Sequence, residues 1–515
     1  MSRIGTNVQS LIAQRVLGQN NQNLSVALER LSTGLKINRG KDDPAGLIAS
    51  ENLRSEQKAL DQAISNADRT NQVVNIAEGG LQEISGLLTE LQSLITATAS
   101  TAGLSSEEKA ANQLQVDSIL QTIDRLSSAT NFQGIKLLNG NFDFKVSGIA
   151  TGVSDFRVNG AKYSGASLGV DLQVTASAQQ GGMFLSAGAS SLNLNTGSSF
   201  VFEIAGNQGS RELSFASGTS LAKIADTINT FKDVTGVQAT VSGTGIRIYS
   251  TDWGSTQFVS VKVLNAAGIN STTNGDGSTA TRGVYKFQAA NFNTASTTSG
   301  SLTTFANATN NVTDSGQDLG ATINGVKAVS SGRTARINTD FLDVEVTLTA
   351  AKAQALGNVG SSGAPALYVT GGGAQFQLAS KVDISGKVSL GIQDVATRKL
   401  GNSVTGFLDK LGAGKTNNVV DGDVTGGQKI VAEAIKQVSS LRGRLGAFQK
   451  NTVSATIRSL GVSLENTAAA QSLIRDSDFA SETAALTRSQ ILVSASTNVL
   501  ALANQQPQSA LQLLG

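Results

Sequence analysis

The sequence contains no cysteine and no histidine. The first absence excludes disulfides, thiol nucleophiles and iron–sulfur clusters, and the second excludes a Ser-His-Asp triad and imidazole metal ligands. Most hydrolase and zinc-enzyme mechanisms are therefore excluded for this chain. We predict a protein that is not an enzyme and that has no cofactor, no metal site and no catalytic residues.

Charge is scarce as well. Asp, Glu, Lys and Arg together make up 15% of the 515 residues, against about 25% in ordinary globular chains. The 40 basic and 38 acidic residues nearly cancel, which gives no support to a nucleic-acid or acidic-lipid partner. The sequence has no apolar run long enough to span a membrane and no apolar core of a secretory signal near its start. If the chain is exported, we expect it to leave without a cleaved signal peptide.

Aromatic residues and glycines are confined to the middle of the chain. Only Phe132, Phe448 and Phe479 of the 23 aromatic residues lie outside the range 142–407, and the glycines are concentrated between residues 131 and 427. Long helices avoid glycine. The composition therefore predicts helical zones at both ends and a β-rich zone between them.

The N-terminal zone carries an apolar repeat with alternating steps of three and four residues. Over six heptads only Glu56 and Thr70 interrupt it, which is the pattern of a coiled-coil seam. We predict that its apolar members face a partner helix: Leu53, Leu60, Ala63, Ala67, Val74, Ala77, Leu81, Ile84, Leu88, Leu91 and Ile95.

The start of this helix is marked in the sequence KDDPAG. Asp43 is expected to cap it and Pro44 to occupy its first position, while Gly40 suits the end of a preceding helix. Similar spacing predicts that the preceding helix uses Leu17, Leu24, Leu28, Leu31 and Leu35. A third helix is expected to begin after Ser105, with Glu108 completing a capping box.

The C-terminal zone has matching repeats. A 42-residue repeat predicts a second seam through Val431, Ala434, Val438, Leu441, Leu445, Phe448, Ala455, Val462, Ala469 and Leu473. Seven-residue spacing then predicts a last helix with Phe479, Leu486, Val493 and Leu500 on one face. We expect the two long seams to cover each other. The outermost helices have no evident partner of similar length, although their opposite net charges favour pairing within or between subunits.

The middle zone has the period-two alternation of β-strands. Apolar residues alternate around Phe202 and Val346, one short helix is expected at 221–228, and Asn139-Gly140 is a typical hairpin-turn dipeptide. Strand order cannot be derived from these patterns. The expected fold is α+β and multidomain: helices from both chain ends pair into a coiled-coil core and a helical bundle, and a β-rich insertion forms one or two outer domains.

The terminal sequences resemble those of bacterial flagellins. The resemblance covers about 2–140, including "STGLKINRGKDDPAGLIASENL" and "NFQGIKLLNG", and about 431–515, including "LIRDSDFASETAALTRSQILVSASTNVL". It implies a structural subunit that self-assembles into the helical flagellar filament for motility. The protein is then expected to be extracellular, secreted through the flagellar type III apparatus in an unfolded state.

The resemblance also implies a domain organisation. Residues 1–42 and 476–515 would form the inner coiled-coil domain. Residues 43–148, with a β-hairpin, and 425–475 would form a helical domain, and 149–424 would form the variable β-rich outer domain or domains. The expected partners are other flagellin subunits, the flagellar cap and hook–filament junction proteins, an export chaperone and the type III export gate.

One position departs from the family pattern for immune recognition. Flagellins that the vertebrate innate-immune flagellin receptor detects well carry an arginine in the middle of the long helix. The resemblance places Glu90 there. It therefore disfavours recognition by that receptor.

Two other kinds of protein are compatible with this sequence. A hook–filament junction protein shares the terminal helices, but should not polymerise without other components; the KINRGKDDPAG stretch favours a flagellin. The middle zone is also compatible with an adhesin-type or sugar-binding surface protein, which glycan binding by residues 149–424 alone would support.

Overall fold

The computed structural model describes residues 6–100, 103–188, 190–195, 197–269, 282–288, 291–295, 302–361 and 363–512. The helices in this part of the chain are α1 Val8–Thr33, α2 Pro44–Thr98, α3 Ser106–Ala129, α4 Leu221–Thr230, α5 Lys232–Thr235, α6 Ala350–Gln354, α7 Val424–Ala447, α8 Ser454–Arg475 and α9 Phe479–Gln512. A 3₁₀-helix spans Leu408–Leu411, and a π-helical turn, Phe448–Val453, joins α7 to α8. Among these helices, none has the length and apolar character to cross a lipid bilayer.

The strands are short and numerous. The first fourteen are β1 Asn131–Phe132, β2 Ile135–Lys136, β3 Phe144–Ser147, β4 Val153–Ala161, β5 Leu168–Val170, β6 Leu172–Ala176, β7 Gly182–Ser186, β8 Ser199–Gly206, β9 Ser210–Ala216, β10 Val237–Ser242, β11 Gly245–Ser250, β12 Phe258–Asn265, β13 Gly283–Gln288 and β14 Asn291–Ala295. The others are β15 Leu302–Thr304, β16 Val312–Ser315, β17 Gly320–Ile323, β18 Val326–Lys327, β19 Val329–Ser331, β20 Thr334–Asn338, β21 Leu342–Leu348, β22 Gly357–Asn358, β23 Leu367–Gly372, β24 Ala374–Gln377, β25 Lys387–Leu390, β26 Gly401–Asn402 and β27 Gly406–Phe407.

The chain forms two compact units, and each contains residues from both ends of the sequence. The first unit comprises Met1–Val74, Phe376–Lys387 and Gly446–Gly515. The second comprises Asn75–Gln375 and Val388–Leu445. Long helices flank a β-rich insertion, so the α+β multidomain fold expected from the sequence is confirmed.

Helix α2 buries the apolar row that its sequence predicts. It begins at Pro44, and the Asp43 carboxylate accepts the N–H of Gly46 at 2.9 Å. From Leu60 onward the row is at least nine-tenths buried: Leu60, Ala63, Ala67, Thr70, Val74, Ala77, Leu81, Ile84, Leu88, Leu91, Ile95 and Thr98. Thr70 fits this apolar row because its hydroxyl donates to Asn66 O within the same helix, at 2.8 Å. The predicted α3 capping box between Ser105 and Glu108 is confirmed.

The C-terminal helices run antiparallel to α2. In the second unit, Arg442 of α7 donates to Glu78 at 2.7 Å. In the first unit, Arg475 at the end of α8 donates to Glu51 near the start of α2, at 3.0 Å. The predicted row of α7 is buried: Val431, Ala434, Val438, Leu441, Leu445 and, at the start of the π-turn, Phe448. Ile430 and Gln437 are buried beside it.

Beyond Phe448 the predicted row is wrong. Continuing the three-and-four spacing selects Val462 and Leu473, but these side chains are 58% and 85% exposed. The π-turn contains one residue more than an α-turn, so the next buried residue is Val453, five positions after Phe448 instead of four. The half-buried row of α8 then contains Ile457, Leu460, Leu464, Thr467, Gln471 and Ile474.

Two other boundaries differ from the sequence predictions. Helix α1 ends at Thr33, with Gly34 as its cap at φ +71, and not near Gly40. A left-handed cap strongly favours glycine, and Gly34 is the first glycine available after the apolar row. Gly140 does take a positive φ of 85, but the strand that follows it, β3, pairs with β23 instead of forming a hairpin across this turn.

The β-rich insertion contains two hydrophobic cores. One lies among the antiparallel sheets β18-β17-β6-β22, β19-β20-β21-β4 and β3-β23-β5; we call it the first β core. The other lies among β10-β11-β7-β13-β14, with β15 on β13, and β16-β12-β8-β9, and is covered by α4. Its largest buried side chains include Phe202 and Phe305. We call it the second β core. Both cores lie in the second compact unit.

A narrow two-segment neck joins these cores. Gln179 and Gln317 exchange backbone hydrogen bonds of 2.8 and 3.0 Å. The segments touch so closely that a Cβ on Gly316 would lie 2.6 Å from the Gln179 carbonyl oxygen. Trp253 packs against the first β core, and the Arg333 guanidinium lies 5.5 Å from the centre of its ring. The chain therefore enters the second β core and leaves it at neighbouring points.

The segment that follows the first β core packs against helices of the second unit. The backbone N–H and the hydroxyl of Thr397 donate to Asp124 of α3, and Arg444 of α7 donates to the Gly391 carbonyl at 2.8 Å. Burial lowers the pKa of Arg444 to about 10, which leaves it charged at neutral pH. Gln113 of α3 donates to Leu411 O at 2.9 Å.

The π-turn determines which face of α8 is buried, so shortening it should affect stability differently from a deletion elsewhere in the helix. Deleting Asn451, an exposed π-turn residue, leaves Phe448 and Val453 four positions apart, so the inward row survives as an ordinary α-helix. We expect an unchanged or slightly higher unfolding midpoint by circular dichroism. Deleting exposed Ser459 instead breaks the α8 row in mid-helix, and should cost several kcal/mol. Equal losses in the two variants would contradict this account.

Because only two segments cross the neck, the second β core should be removable without unfolding the rest of the chain. Replacing residues 182–315 with a short Gly/Ser linker removes the second β core and retains the Gln179–Gln317 bridge. We expect the remaining chain to fold, with a loss of about 1–2 kcal/mol because the cover provided by Trp253 is removed. Circular dichroism melting would measure this, and a chain without cooperative unfolding would show that the cores are interdependent.

Candidate assembly surface

The first and last helices have ends that are set by local sequence. At the start of α1, the Asn7 side chain accepts the N–H of Ser10 at 3.0 Å. At the start of α9, the Asp478 carboxylate accepts the N–H of Ala480 at 3.0 Å. Both residues satisfy amides that lack partners in the first turn of a helix. Between α8 and α9, only three residues, 476–478, are outside the helices.

These two helices pair with each other, in antiparallel orientation. The Asn7 side chain donates to Ala503 O at 2.7 Å near one end, and Arg30 forms an ion pair with Glu482 at 3.2 Å near the other. The pairing of the two end helices, which their opposite net charges favour, is therefore confirmed. Pairing within one subunit was one of the two arrangements that their charges favoured.

The seam between α1 and α9 combines large and small residues. The large side chains are only half-buried: Leu17, Leu24 and Leu31 from α1, and Leu486, Val493 and Leu500 from α9. The fully buried positions are occupied by small residues: Ser10, Ala13 and Ala27 from α1, and Ser489, Ser496 and Ala503 from α9. Small residues allow the helices to approach closely, but they bury little apolar area.

Polar contacts fix the register of this seam. Asn20 donates to the Ser496 hydroxyl at 2.6 Å in the middle of the pair, and Ser10 donates to the Asn504 side chain at 2.7 Å. A polar residue in a coiled-coil seam costs stability but selects one register, because any other alignment leaves it unpaired.

Much of the apolar surface of the pair remains open. The exposed large apolar side chains are Val8, Leu11, Ile12, Val16 and Leu28 on α1, and Phe479, Ile491, Leu492, Val499 and Leu502 on α9. A groove of about 350 Å³ runs between the helices and is lined by Ile12, Val16, Leu492 and Val499 among others. Open apolar stripes of this length are typical of surfaces that associate with other proteins.

The structure divides the sequence-predicted site residues into three groups. Leu24, Leu31, Leu486, Val493 and Leu500 lie in the α1–α9 seam. Leu60, Val74, Leu81, Ile84, Leu88, Leu91, Ile95, Val438, Leu441 and Leu445 are buried in the long-helix rows, and Leu53 is half-buried there. Leu28, Leu35 and Phe479 lie outside both rows.

The positions of these three residues outside the predicted rows have local structural causes. Leu35 follows the Gly34 cap, and its strand-like bridge to Asp476 takes it out of the helix. Leu28 and Phe479 are 48% and 68% exposed, because the seam row of α1 passes through Ala27 and that of α9 begins at Glu482.

Sequence reasoning missed the small residues of the seam. Ser489, Ser496 and Ala503 recur every seven residues, as do Ala13, Asn20 and Ala27. This seven-residue spacing is present in the sequence, but a prediction based on large apolar residues does not include serine, alanine or asparagine.

Family models match three parts of the chain. The bacterial flagellin N-terminal helical region matches residues 4–143 and the C-terminal helical region matches 428–514. A flagellin hook IN motif matches 199–261, within the second β core.

Relatives match along the whole length. A flagellin of Salmonella typhimurium is 31% identical over 523 residues, which cover 99% of each chain. Flagellin B of Helicobacter pylori is 28% identical, again over 99% of each chain. Among solved structures, FlgL of Xanthomonas campestris is 13% identical with a TM-score of 0.26, and covers 80% of this chain and 98% of its own.

The architecture, with helices from both chain ends around a β-rich insertion and an open apolar face, is that of a filament-forming structural protein. The chain belongs to the bacterial flagellin family. It is a structural subunit of the flagellar filament, which serves motility.

The seam geometry predicts the effect of changing Asn20. Replacing Asn20 with Leu removes the register-selecting bond to Ser496, whose hydroxyl keeps its own bond to Leu492 O. We expect stronger helix pairing with a less specific register. Hydrogen exchange of α9 amides would report greater protection, and spin-label distances between α1 and α9 would become broader. Asn21→Leu, at the adjacent exposed position, is the control. A single sharp distance in the Asn20 variant would contradict a register role.

Proposed function

We propose that subunits pack in the filament through the open apolar faces of α1 and α9. The supporting observation is the mismatch between the two sides of this helix pair: its buried seam positions hold small residues, while large apolar residues line its outside. Small residues bury little apolar area, so this seam stabilises the pair less than a seam of large apolar residues would. Neighbouring subunits supply the missing burial.

The apolar burial offered by these faces is comparable in size to the free-energy cost of association. Complete burial of a Leu, Ile, Val or Phe side chain contributes about 1.5–3 kcal/mol. The exposed side chains on α1 and α9 are roughly half-exposed, so each offers about 1 kcal/mol. Ten such side chains give about 10 kcal/mol per subunit before the entropy cost of association.

The domain organisation follows from this role. Residues 1–42 and 476–515 form the inner coiled-coil domain, where the open faces meet those of other subunits. Residues 43–148 and 425–475 form the helical domain, which contains the buried α2 row. Residues 149–424 face outward as two β domains. Their cores are self-contained, which suits a region that takes no part in the inner contacts.

We further propose an export route and an extracellular location for the subunit. The subunit leaves the cell unfolded through the flagellar type III apparatus, with an export chaperone covering its apolar ends before assembly. It is incorporated outside the cell beneath the flagellar cap, and the first subunits contact hook–filament junction proteins. Its role is structural without catalysis. Glu90, exposed on α2, weakens recognition by the innate-immune flagellin receptor.

Truncation after Arg475 tests the assembly role. The shortened chain lacks α9 but retains α2, α3, α7 and α8. We expect it to remain folded and to form no filaments, because α1 has lost its partner and half of the apolar face is gone. Analytical ultracentrifugation and circular dichroism would separate these effects.

A matched control keeps the length of the chain constant. Full-length protein with Leu492→Gln and Val499→Gln retains α9 and its seam row but places polar groups on the open face. Failure of both variants to polymerise, with normal helicity, is the expected result. Long filaments from either variant would mean that α9 is not an assembly element.

A further inference from the structure

A loop of the second β core packs against the first β core beside the neck. The loop spans residues 251–257, between β11 and β12, and we call it the strap. Its Trp253 packs against the first β core, although the strands on either side of the strap belong to the second. The two cores are therefore joined by this loop in addition to the two segments of the neck.

One carboxylate accepts hydrogen bonds from both cores at the strap. Asp318 directly follows Gln317 of the neck. It accepts the backbone N–H of Ser255 in the strap at 3.2 Å, and it also accepts the Ser255 hydroxyl. From the first β core it accepts the N–H of Gly332, in the turn between β19 and β20, at 2.7 Å. The same carboxylate thus binds a residue of each core.

The backbones of the strap and of this turn are in direct contact. A Cβ on Gly254 would lie 2.9 Å from Gly332 Cα, and a Cβ on Gly332 would lie 2.9 Å from the Trp253 carbonyl oxygen. Both glycines also have a positive φ, of +115 and +59, which other residues rarely adopt. On the neck side, the Gly254 N–H donates to Gln179 O at 3.1 Å. The contact therefore requires glycine on both of its sides.

The hydrogen bonds to Asp318 have a charged acceptor. Burial raises the pKa of Asp318, but the hydrogen bonds from Ser255 and Gly332 outweigh burial, so this pKa lies below its usual value. The carboxylate is therefore ionised at neutral pH, and hydrogen bonds to an ionised group are roughly twice as strong as neutral ones. Trp253 adds a cation–π contact, since the Arg333 guanidinium lies 5.5 Å from the centre of its ring.

Domains joined by narrow connections move relative to each other unless a further interface prevents it. We propose that the strap fixes the orientation of the second β core relative to the first, and that Asp318 is the residue that holds the strap closed. The contact is small and Ser255 is exposed, so the strap can open without unfolding either core. This inference goes beyond the proposed function, because it concerns the free subunit and does not depend on assembly.

The test measures the distance between the two cores in the full-length monomer. The chain has no cysteine, so Gln173→Cys on β6 and Thr240→Cys on β10, both at exposed positions, provide the two sites for spin labels. Double electron–electron resonance should give one narrow distance distribution. In Asp318→Ala we expect a distribution at least twice as wide, because all three hydrogen bonds are lost. Ser255→Ala removes only the hydroxyl bond and should widen it less.

The matched control is Asp171→Ala. Asp171 is an exposed residue of the same β domain, and its backbone N–H donates to Asn324, at the opposite end of β17 from Asp318. This variant should keep the narrow distribution, and circular dichroism should show that every variant is folded. A broad distribution without any of these alanine changes would mean that the strap does not fix the cores. Equal widths with and without the Asp318 carboxylate, or widening in Asp171→Ala as well, would also overturn the inference.

Discussion

Helical phase is the constraint on which this structure depends. An α-helix has 3.6 residues per turn and a heptad row has 3.5, so an apolar row drifts by about 20° per heptad. Over the 55 residues of α2, this drift amounts to about 150° unless supercoiling or a local change of helix type absorbs it. The one-residue insertion at Phe448–Val453 is such a change, placed between the parts of the C-terminal helices that pair with the two halves of α2.

This constraint explains which parts of the fold the sequence predicts. In α2 the row was predictable because leucine and isoleucine recur without a competing row, and local spacing alone determines which side faces inward. In α8 two rows of comparable apolar character lie on opposite faces. The choice between them depends on a π-turn that no local pattern marks, so the prediction followed the wrong row.

The remaining features depend on contacts between distant residues. The strands around Phe202 and Val346 were predictable from alternation, but their neighbours in the sheets were not, because β12, for example, pairs with β8 and β16 across long intervals of sequence. The α1–α9 seam was missed for a different reason. Its buried residues are serine and alanine, whose spacing becomes informative only when the helix that packs against them is known.

The α1–α9 pair also has a consequence for the timing of folding. Asn7 and Ala503, which are hydrogen-bonded, are 496 residues apart in the sequence. During synthesis, α1 has no partner until almost the last residue has been made, whereas each β core is complete much earlier. Closing so long a loop is slow and costs chain entropy. The nascent chain therefore spends nearly all of its synthesis without its terminal helix pair, and a carrier that binds the chain during this interval competes with no native partner for α1.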